Sequence, residues 1–180
     1  MTPIDASSLA RYSGGELAAG KGDVLAKAVS TDTRTIPAES AFLALRGERF
    51  DANDFARQAL AAGASVVVVE RWEGEAPESG AVIRVPDGLD ALQRFAAWYR
   101  RQRELPVVGI TGSNGKTSTK DFTSAVLGQA YQVCATRGNL NNHIGVPLSV
   151  LSLEESDTAA VFEMGMNHPG EIAPLCGIAR

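Results

Sequence analysis

The sequence predicts an α/β protein: a small N-terminal α/β domain followed by part of a mostly parallel α/β domain of the phosphate-loop kind. Three observations lead there. From residue 40 onward, short apolar or β-branched runs alternate with stretches of helical periodicity. One of those runs, "VVGIT" (107–111), leads directly into a glycine loop and a helical stretch, "GSNGKTSTK". Only three strand signals follow residue 106, fewer than a doubly wound nucleotide domain needs, and the chain stops at Arg180 inside a helix signal. The chain is therefore expected to be a piece of a longer protein.

Each element has its own warrant. "SAFLALRG" (40–47) is a short apolar run ending at glycine and reads as a strand. "DANDFARQALAAG" (51–63) opens on Asp51 as a cap and closes on Gly63, with Phe55, Ala59 and Ala62 at helical spacing. "SVVVVE" (65–70) is uninterrupted and β-branched, as in a strand buried on both faces. "EGEAPESG" (73–80) reads as a loop and "AVIRV" (81–85) as a strand. The stretch 86–103 places Leu89, Leu92, Ala96 and Tyr99 on one helix face, and Arg100, Arg101 and Arg103 suit the negative end of the helix dipole. Pro106 resets the chain. "VVGIT" is a strand, 116–129 a helix, "QVCAT" (132–136) a strand, "RGNLNNHIGVP" (137–147) a polar loop, "TAAVFEMG" (158–165) a strand, and "HPGEIAPLCGIAR" opens a helix. The domain boundary falls near residue 86, giving domains 1–86 and 87–180.

Bulk properties narrow the class. Among 180 residues, 44% hydrophobic and 21% charged is an ordinary composition with enough apolar side chains for a core. The net charge of −4 offers no basic field for nucleic acid or an anionic membrane, so a phosphate ligand has to be held by local groups. Cys134 and Cys176 stand far apart, which argues against a disulfide framework and for a reducing compartment. Neither a leader-like start nor an apolar run of membrane-spanning length is visible. The expectation is a soluble, cytoplasmic, monomeric protein.

The glycine loop carries the most chemistry. The strict phosphate-loop pattern would need glycine where Ile110 stands. Gly112 and Gly115 nevertheless flank Ser113 and Asn114, and glycine lets backbone N–H groups turn towards an anion. Lys116 can reach outer phosphates, the Thr117 hydroxyl can ligate Mg²⁺, and both, with Ser118, open a helix whose N-terminus favours negative charge. The plainer account is a glycine-rich connection with a solvated lysine. Glu163, at the carboxyl end of "AAVF", sits where a second Mg²⁺ ligand would stand beside such a loop, or is an exposed strand-end acid. His168, next to Pro169 and three residues before Glu171, reads alone as a capping or packing histidine. Asn139, Asn141 and Asn142 can donate and accept in their loop, or serve turn chemistry. Thr31, Asp32, Thr33 and Arg34 read on their own as an Asp-led turn.

The segment "TGSNGKTSTK" resembles the phosphate loop of the Mur ligases and their relative folylpolyglutamate synthase, in which T-G-[ST]-[NS]-G-K-T replaces the strict pattern. "STDTR" (30–34) and "AFLALRGERFDANDFARQALAAGA" (41–64) are similar to the family's nucleotide-sugar-binding domain. "GNLNNHIGVPLSVL" (138–151) and "FEMGMNHPGEI" (162–172) look like the branch that adds D-Ala-D-Ala to UDP-MurNAc-tripeptide. The resemblance covers most of the chain, more weakly over 1–28 and 72–100. It implies an ATP-dependent amide ligase of peptidoglycan precursor synthesis, working through an acyl phosphate with ATP and Mg²⁺. It implies ATP contacts from Gly112, Ser113, Asn114, Gly115, Lys116, Thr117 and Ser118. Thr117, Glu163 and His168 would form the metal site, with catalytic roles for Lys116 and His168. Thr33, Arg34, Arg46, Gly47, Asp51, Asn53, Asn139 and Asn142 would contact the muramoyl substrate. It also places a carbamylated lysine, the adenine contacts and a C-terminal domain beyond Arg180, so the isolated chain is expected to be inactive as a ligase. Within the ligase class, an enzyme of the MurE or folylpolyglutamate synthase type is the nearer alternative; outside it, a small-molecule phosphate-loop kinase and a pure binding module remain open.

Overall fold

A computed structural model describes residues 1–47, 50–73 and 75–180. The backbone forms two compact units, Thr2–Phe95 and Ala96–Arg180, the latter joined by Met1.

The first unit begins with β1 (Ile4–Asp5), α1 (Ala6–Ser13), β2 (Glu16–Gly20), β3 (Leu25–Ala26) and β4 (Ala28–Ser30). Asp5 caps α1 by accepting from Ser8 N–H at 2.9 Å, and Gly14 ends it in the left-handed conformation at φ 77°. There follow β5 (Ser40–Leu43), α2 (Ala56–Ala61), β6 (Ala64–Val69), β7 (Ala81–Arg84) and α3 (Gly88–Arg101). The sheet order is β2-β7-β6-β5-β4. Strands β4 to β7 run parallel, and β2 closes one edge antiparallel to β7. Val66 to Val69 of β6 are wholly buried, as a central parallel strand with both faces covered requires.

Two sequence expectations shift here. The helix expected from residue 51 starts as a 3₁₀ turn over Ala52–Phe55, capped by Asp51, and becomes α-helical only at Ala56. The tighter winding rotates the apolar phase. Ala52, Ala56 and Ala59 pack on Phe42, Val67, Val69 and Val82, whereas Phe55 is 38% exposed and Ala62 faces out. In α3, Leu92, Phe95, Ala96 and Tyr99 are buried and Leu89 is half-buried, close to the expected face. The two units part inside this helix, between Phe95 and Ala96.

The second unit contains β8 (Val107–Ile110), α4 (Lys116–Leu127), β9 (Val133–Ala135), α5 (Gly145–Leu151), β10 (Ala159–Glu163) and α6 (Ile172–Ala179). Its sheet is fully parallel in the order β8-β10-β9, with β10 buried along its whole length. Helix α5 is missing from the sequence expectation, which took 137–147 as loop. Its polar residues and glycines read as loop, and Pro147 falls in the first helical turn, where an N–H has no partner to lose. Gly145 is required by proximity: an added Cβ would lie 2.3 Å from the Leu140 carbonyl carbon.

Arg100 also departs from expectation. It is not a solvated dipole partner but is 7% exposed, donating to the carbonyls of Ala179 (3.0 Å), Leu105 (3.0 Å) and Arg103. It therefore satisfies three backbone acceptors around the end of α3. Replacing Arg100 by Met keeps much of the volume but strands those carbonyls, with an expected loss of about 2–3 kcal/mol in urea unfolding.

Candidate functional site

The second unit builds its site where β8 ends. Thr111 to Gly115 are exposed; Gly112 sits at φ 147° and Gly115 at φ 73°, the latter in the left-handed region that side chains disfavour. Gly115 stands at the N-cap of α4 and makes no side-chain cap hydrogen bond, so the first-turn N–H groups, which have no partner within the helix, are left without that cap. Lys116 Nζ lies back across the loop and donates to Gly112 O at 2.7 Å. The lysine charge and the helix N-terminus thus stand together on an exposed loop, an arrangement suited to a polyphosphate.

Thr117, one residue on, donates from Oγ1 to Glu163 Oε2 at 2.9 Å. Glu163 ends β10, next to β8 in the sheet, and is 2% exposed. Parallel pairing of β8 and β10 with Ile110 opposite Glu163 therefore delivers the acid beside the loop. Its backbone N–H donates to Thr136 Oγ1 at 3.0 Å, and its second oxygen accepts from Asn141 Nδ2 at 2.8 Å. The Thr117–Glu163 oxygen spacing matches two adjacent corners of an Mg²⁺ octahedron with Mg–O of about 2.1 Å, whose edge is about 3 Å. Two hard oxygen donors at that spacing fit the cation.

The other expected residues distribute unevenly. Ser113, Asn114 and Ser118 are exposed on the loop and first helical turn. His168 lies on the exposed segment after β10, and no hydrogen bond joins it to Thr117 or Glu163. Its N–H and that of Asn167 donate to Glu171 Oε2 at 3.3 and 2.7 Å. These two N–H donors, helped by the charges of His168 and His143, hold the Glu171 carboxyl below its ordinary range. Among the described residues no cluster of three or more His, Cys, Asp or Glu side chains could hold a metal. Asn142 Oδ1 accepts from Ile144 N–H (3.1 Å) and Gly145 N–H (2.9 Å), so it caps the entry to α5, while Asn139 is exposed.

Sequence reasoning passed over three members of this site. Asn141 was grouped with its neighbours by composition alone. Thr136 holds the Glu163 backbone. Lys120, 7% exposed, donates to Thr136 O at 3.0 Å and pairs with Asp121 at 3.0 Å. Its position four residues after Lys116, one helical turn on, was the available signal.

In the first unit, parallel pairing brings the expected sugar-nucleotide residues to one sheet edge. Thr33 and Arg34 follow β4, and Arg46 and Gly47 follow β5, both at the carboxyl end where α/β sheets bind ligands. Arg34 grips Asp32 through Nε (2.9 Å) and Nη2 (2.6 Å), and that pairing draws the Asp32 carboxyl down to about 2. Arg46 and Asp51 pair through their backbones in an isolated antiparallel bridge, and Gly47 N–H donates to Phe50 O at 3.0 Å. Asn53 is buried and engaged at both ends of its amide: Nδ2 donates to Asp51 (2.6 Å) and Oδ1 accepts from Glu70 N–H (2.7 Å). Glu70 Oε1 in turn accepts from Gly88 N–H at the start of α3, 3.0 Å away. A cleft of about 460 Å³ opens at this same edge, between Gly14, Glu16, Glu70, Arg84 and Pro86. None of the expected substrate residues lines it.

With this geometry in hand, two family descriptions match: the Mur ligase catalytic domain over residues 26–100 and the Mur ligase middle domain over 110–180. The chain belongs to the Mur ligase family. Among Mur ligases, it is 49% identical over 152 residues to the UDP-N-acetylmuramoyl-tripeptide–D-alanyl-D-alanine ligase of Bacillus subtilis, covering 84% of this chain and 33% of that one. It is 43% identical over 181 residues to the ligase of the same name from Escherichia coli, covering 100% and 39%. A MurF crystal structure from Acinetobacter baumannii superposes with a TM-score of 0.91 at 38% identity, over 99% of this chain and 39% of that one. The ADP complex of Thermotoga maritima MurF gives 0.73 at 34% identity, over 84% and 35%. The chain thus spans well under half the length of these Mur ligase relatives.

Asp51 generates a pH prediction. Its carboxyl is drawn down from 3.8 to about 2, chiefly by the Asn53 side-chain amide, then by the Asn53 N–H and Arg71, whose Nη1 stands 2.6 Å away. A carboxyl lowered on folding adds stability above its unfolded value and loses it as pH falls through the folded one. The thermal midpoint is therefore expected to drop between roughly pH 4 and 2, and Asp51→Asn should flatten that drop, as followed by circular dichroism.

Proposed function

We propose that this chain forms the nucleotide-sugar-binding and phosphate-loop portion of an ATP-dependent amide ligase that joins D-Ala-D-Ala to UDP-MurNAc-tripeptide. The observation that carries the proposal is the contact between Thr117 and buried Glu163 at the mouth of the Gly112–Lys116 loop. The curated relatives bear the name of that ligase, and one solved relative is an ADP complex.

The chemistry follows from charge. The terminal carboxylate of the tripeptide attacks the γ-phosphorus of ATP, and the bond to the β-phosphate oxygen breaks, releasing ADP. The D-Ala-D-Ala amine then attacks the acyl phosphate carbon, loses a proton and expels inorganic phosphate. Negative groups must approach one another in the first step, so binding and neutralisation are the main tasks. Loop N–H groups and the start of α4 hold the phosphates. Lys116 exchanges Gly112 O for phosphate oxygens and follows the transferring group. Thr117 and Glu163 would hold Mg²⁺, which offsets phosphate charge when bound. His168 serves this centre only if its exposed segment carries it inward. At the sheet edge of the first unit, Thr33, Arg34, Arg46 and Gly47 receive the uridine diphosphate, with Arg34 exchanging Asp32 for phosphate. Asn139 meets the muramoyl peptide from the loop before α5. The setting is peptidoglycan precursor synthesis in the cytoplasm.

Lys116→Ala should weaken ATP binding by about 2–3 kcal/mol in calorimetry, the scale of a charged hydrogen bond; unchanged affinity would remove the loop from the site. Arg34→Ala should weaken UDP-MurNAc-tripeptide while sparing ATP. In the native chain, selective binding of UDP-MurNAc-tripeptide over UDP-GlcNAc is the expected result, and equal affinity for both would overturn the muramoyl assignment.

A further inference from the structure

We propose that Asn141 is a positioning residue for the metal-binding carboxylate, tying the loop before α5 to the orientation of Glu163. The inference rests on the phosphate-loop reading and goes beyond it, because Asn141 lies outside the loop and its side chain donates to Glu163.

Glu163 is buried, and both of its oxygens are engaged by different elements: Oε2 by Thr117 of α4 at 2.9 Å, Oε1 by Asn141 Nδ2 at 2.8 Å. A carboxylate held at one oxygen can swing about its last torsion; held at both, it presents a fixed plane. The amide nitrogen can only donate, so Asn141 occupies Oε1 without competing for a cation and leaves Oε2 towards Thr117. Asn141 is itself anchored by its backbone. Its O accepts from Gly165 N–H at 2.7 Å and its N–H donates to Asn139 O at 2.8 Å. Gly165 makes room for this approach, since a Cβ there would sit 3.2 Å from the Asn141 amide carbon. Those anchors use backbone atoms, so trimming the side chain leaves them in place and frees only Glu163.

Mg²⁺ tolerates little deviation from octahedral geometry, so a freed carboxylate loses affinity for it, and outer partners of metal ligands are typically worth 10–100-fold. The residue also links sites: Asn139 and Asn142 flank it, so whatever moves that loop moves the metal carboxylate.

The test is calorimetric titration of the chain with ADP across a Mg²⁺ series. Asn141→Ala is expected to raise the Mg²⁺ concentration for half-maximal enhancement of ADP binding by about tenfold or more, with metal-free ADP affinity within about twofold of the native chain. Asn141→Ser, which restores a short donor, is expected to recover part of that loss. An unchanged Mg²⁺ requirement in Asn141→Ala overturns the inference while leaving the phosphate loop standing. Equal weakening of metal-free and metal-dependent binding in both variants assigns Asn141 to folding alone and also overturns it. A native chain that binds no ADP removes the phosphate-loop reading, and this inference with it.

Discussion

A buried carboxylate with every polar atom accounted for is the constraint on which the second unit turns. Glu163 is 2% exposed at the end of a fully buried strand, where an unpaired charge would be costly. Thr117 of α4 and Asn141 of the loop before α5 engage its two carboxylate oxygens, and Thr136, after β9, accepts from its backbone N–H. Three segments distant in sequence are thereby fixed around one residue. The phosphate loop inherits its position from the same arrangement, since Thr117 is the second residue of the helix that the loop opens.

The first unit solves a parallel problem with different groups. Asn53 joins Asp51 to the end of β6, Glu70 joins the end of β6 to the start of α3, and Arg71 pairs with Asp51 and Asp54. This chain of contacts organises the carboxyl edge of the sheet, leaving Arg34 and Gly47 to face solvent there. Asn53 and Asn142 were both read as substrate contacts, and in this structure the side-chain oxygen of each accepts backbone N–H donors. Asparagine is ambiguous in a sequence because the same amide serves a ligand, a cap or a strand end equally well.

Legibility varied with the range of the interaction that decides each feature. Strands β6, β8 and β10 and the loop after β8 were readable because β-branched runs and glycine spacing are local signals. The phase of α2 was not, because a 3₁₀ start rotates the buried face and residue spacing alone does not reveal the winding. Helix α5 hid behind the polar, glycine-punctuated stretch that leads into it, and Arg100 behind its charge. Arg100 is buried by virtue of carbonyls belonging to Arg103, Leu105 and Ala179, which the helix periodicity does not contain. Asn141 stood out from Asn139 and Asn142 only once β10 placed Glu163 opposite it.

By itself, then, the sequence determined the α/β class, the glycine loop that opens a helix at Lys116 and Thr117, and the family, since each rests on residues adjacent in the chain. Tertiary structure alone decided which acid faces Thr117, which asparagine holds that acid, and that Asn53 bridges Asp51 to the end of β6. The physical reason is burial. Once a polar group leaves water it must find its partner wherever packing has put one, and in a parallel sheet that partner comes from a neighbouring strand or loop tens of residues away.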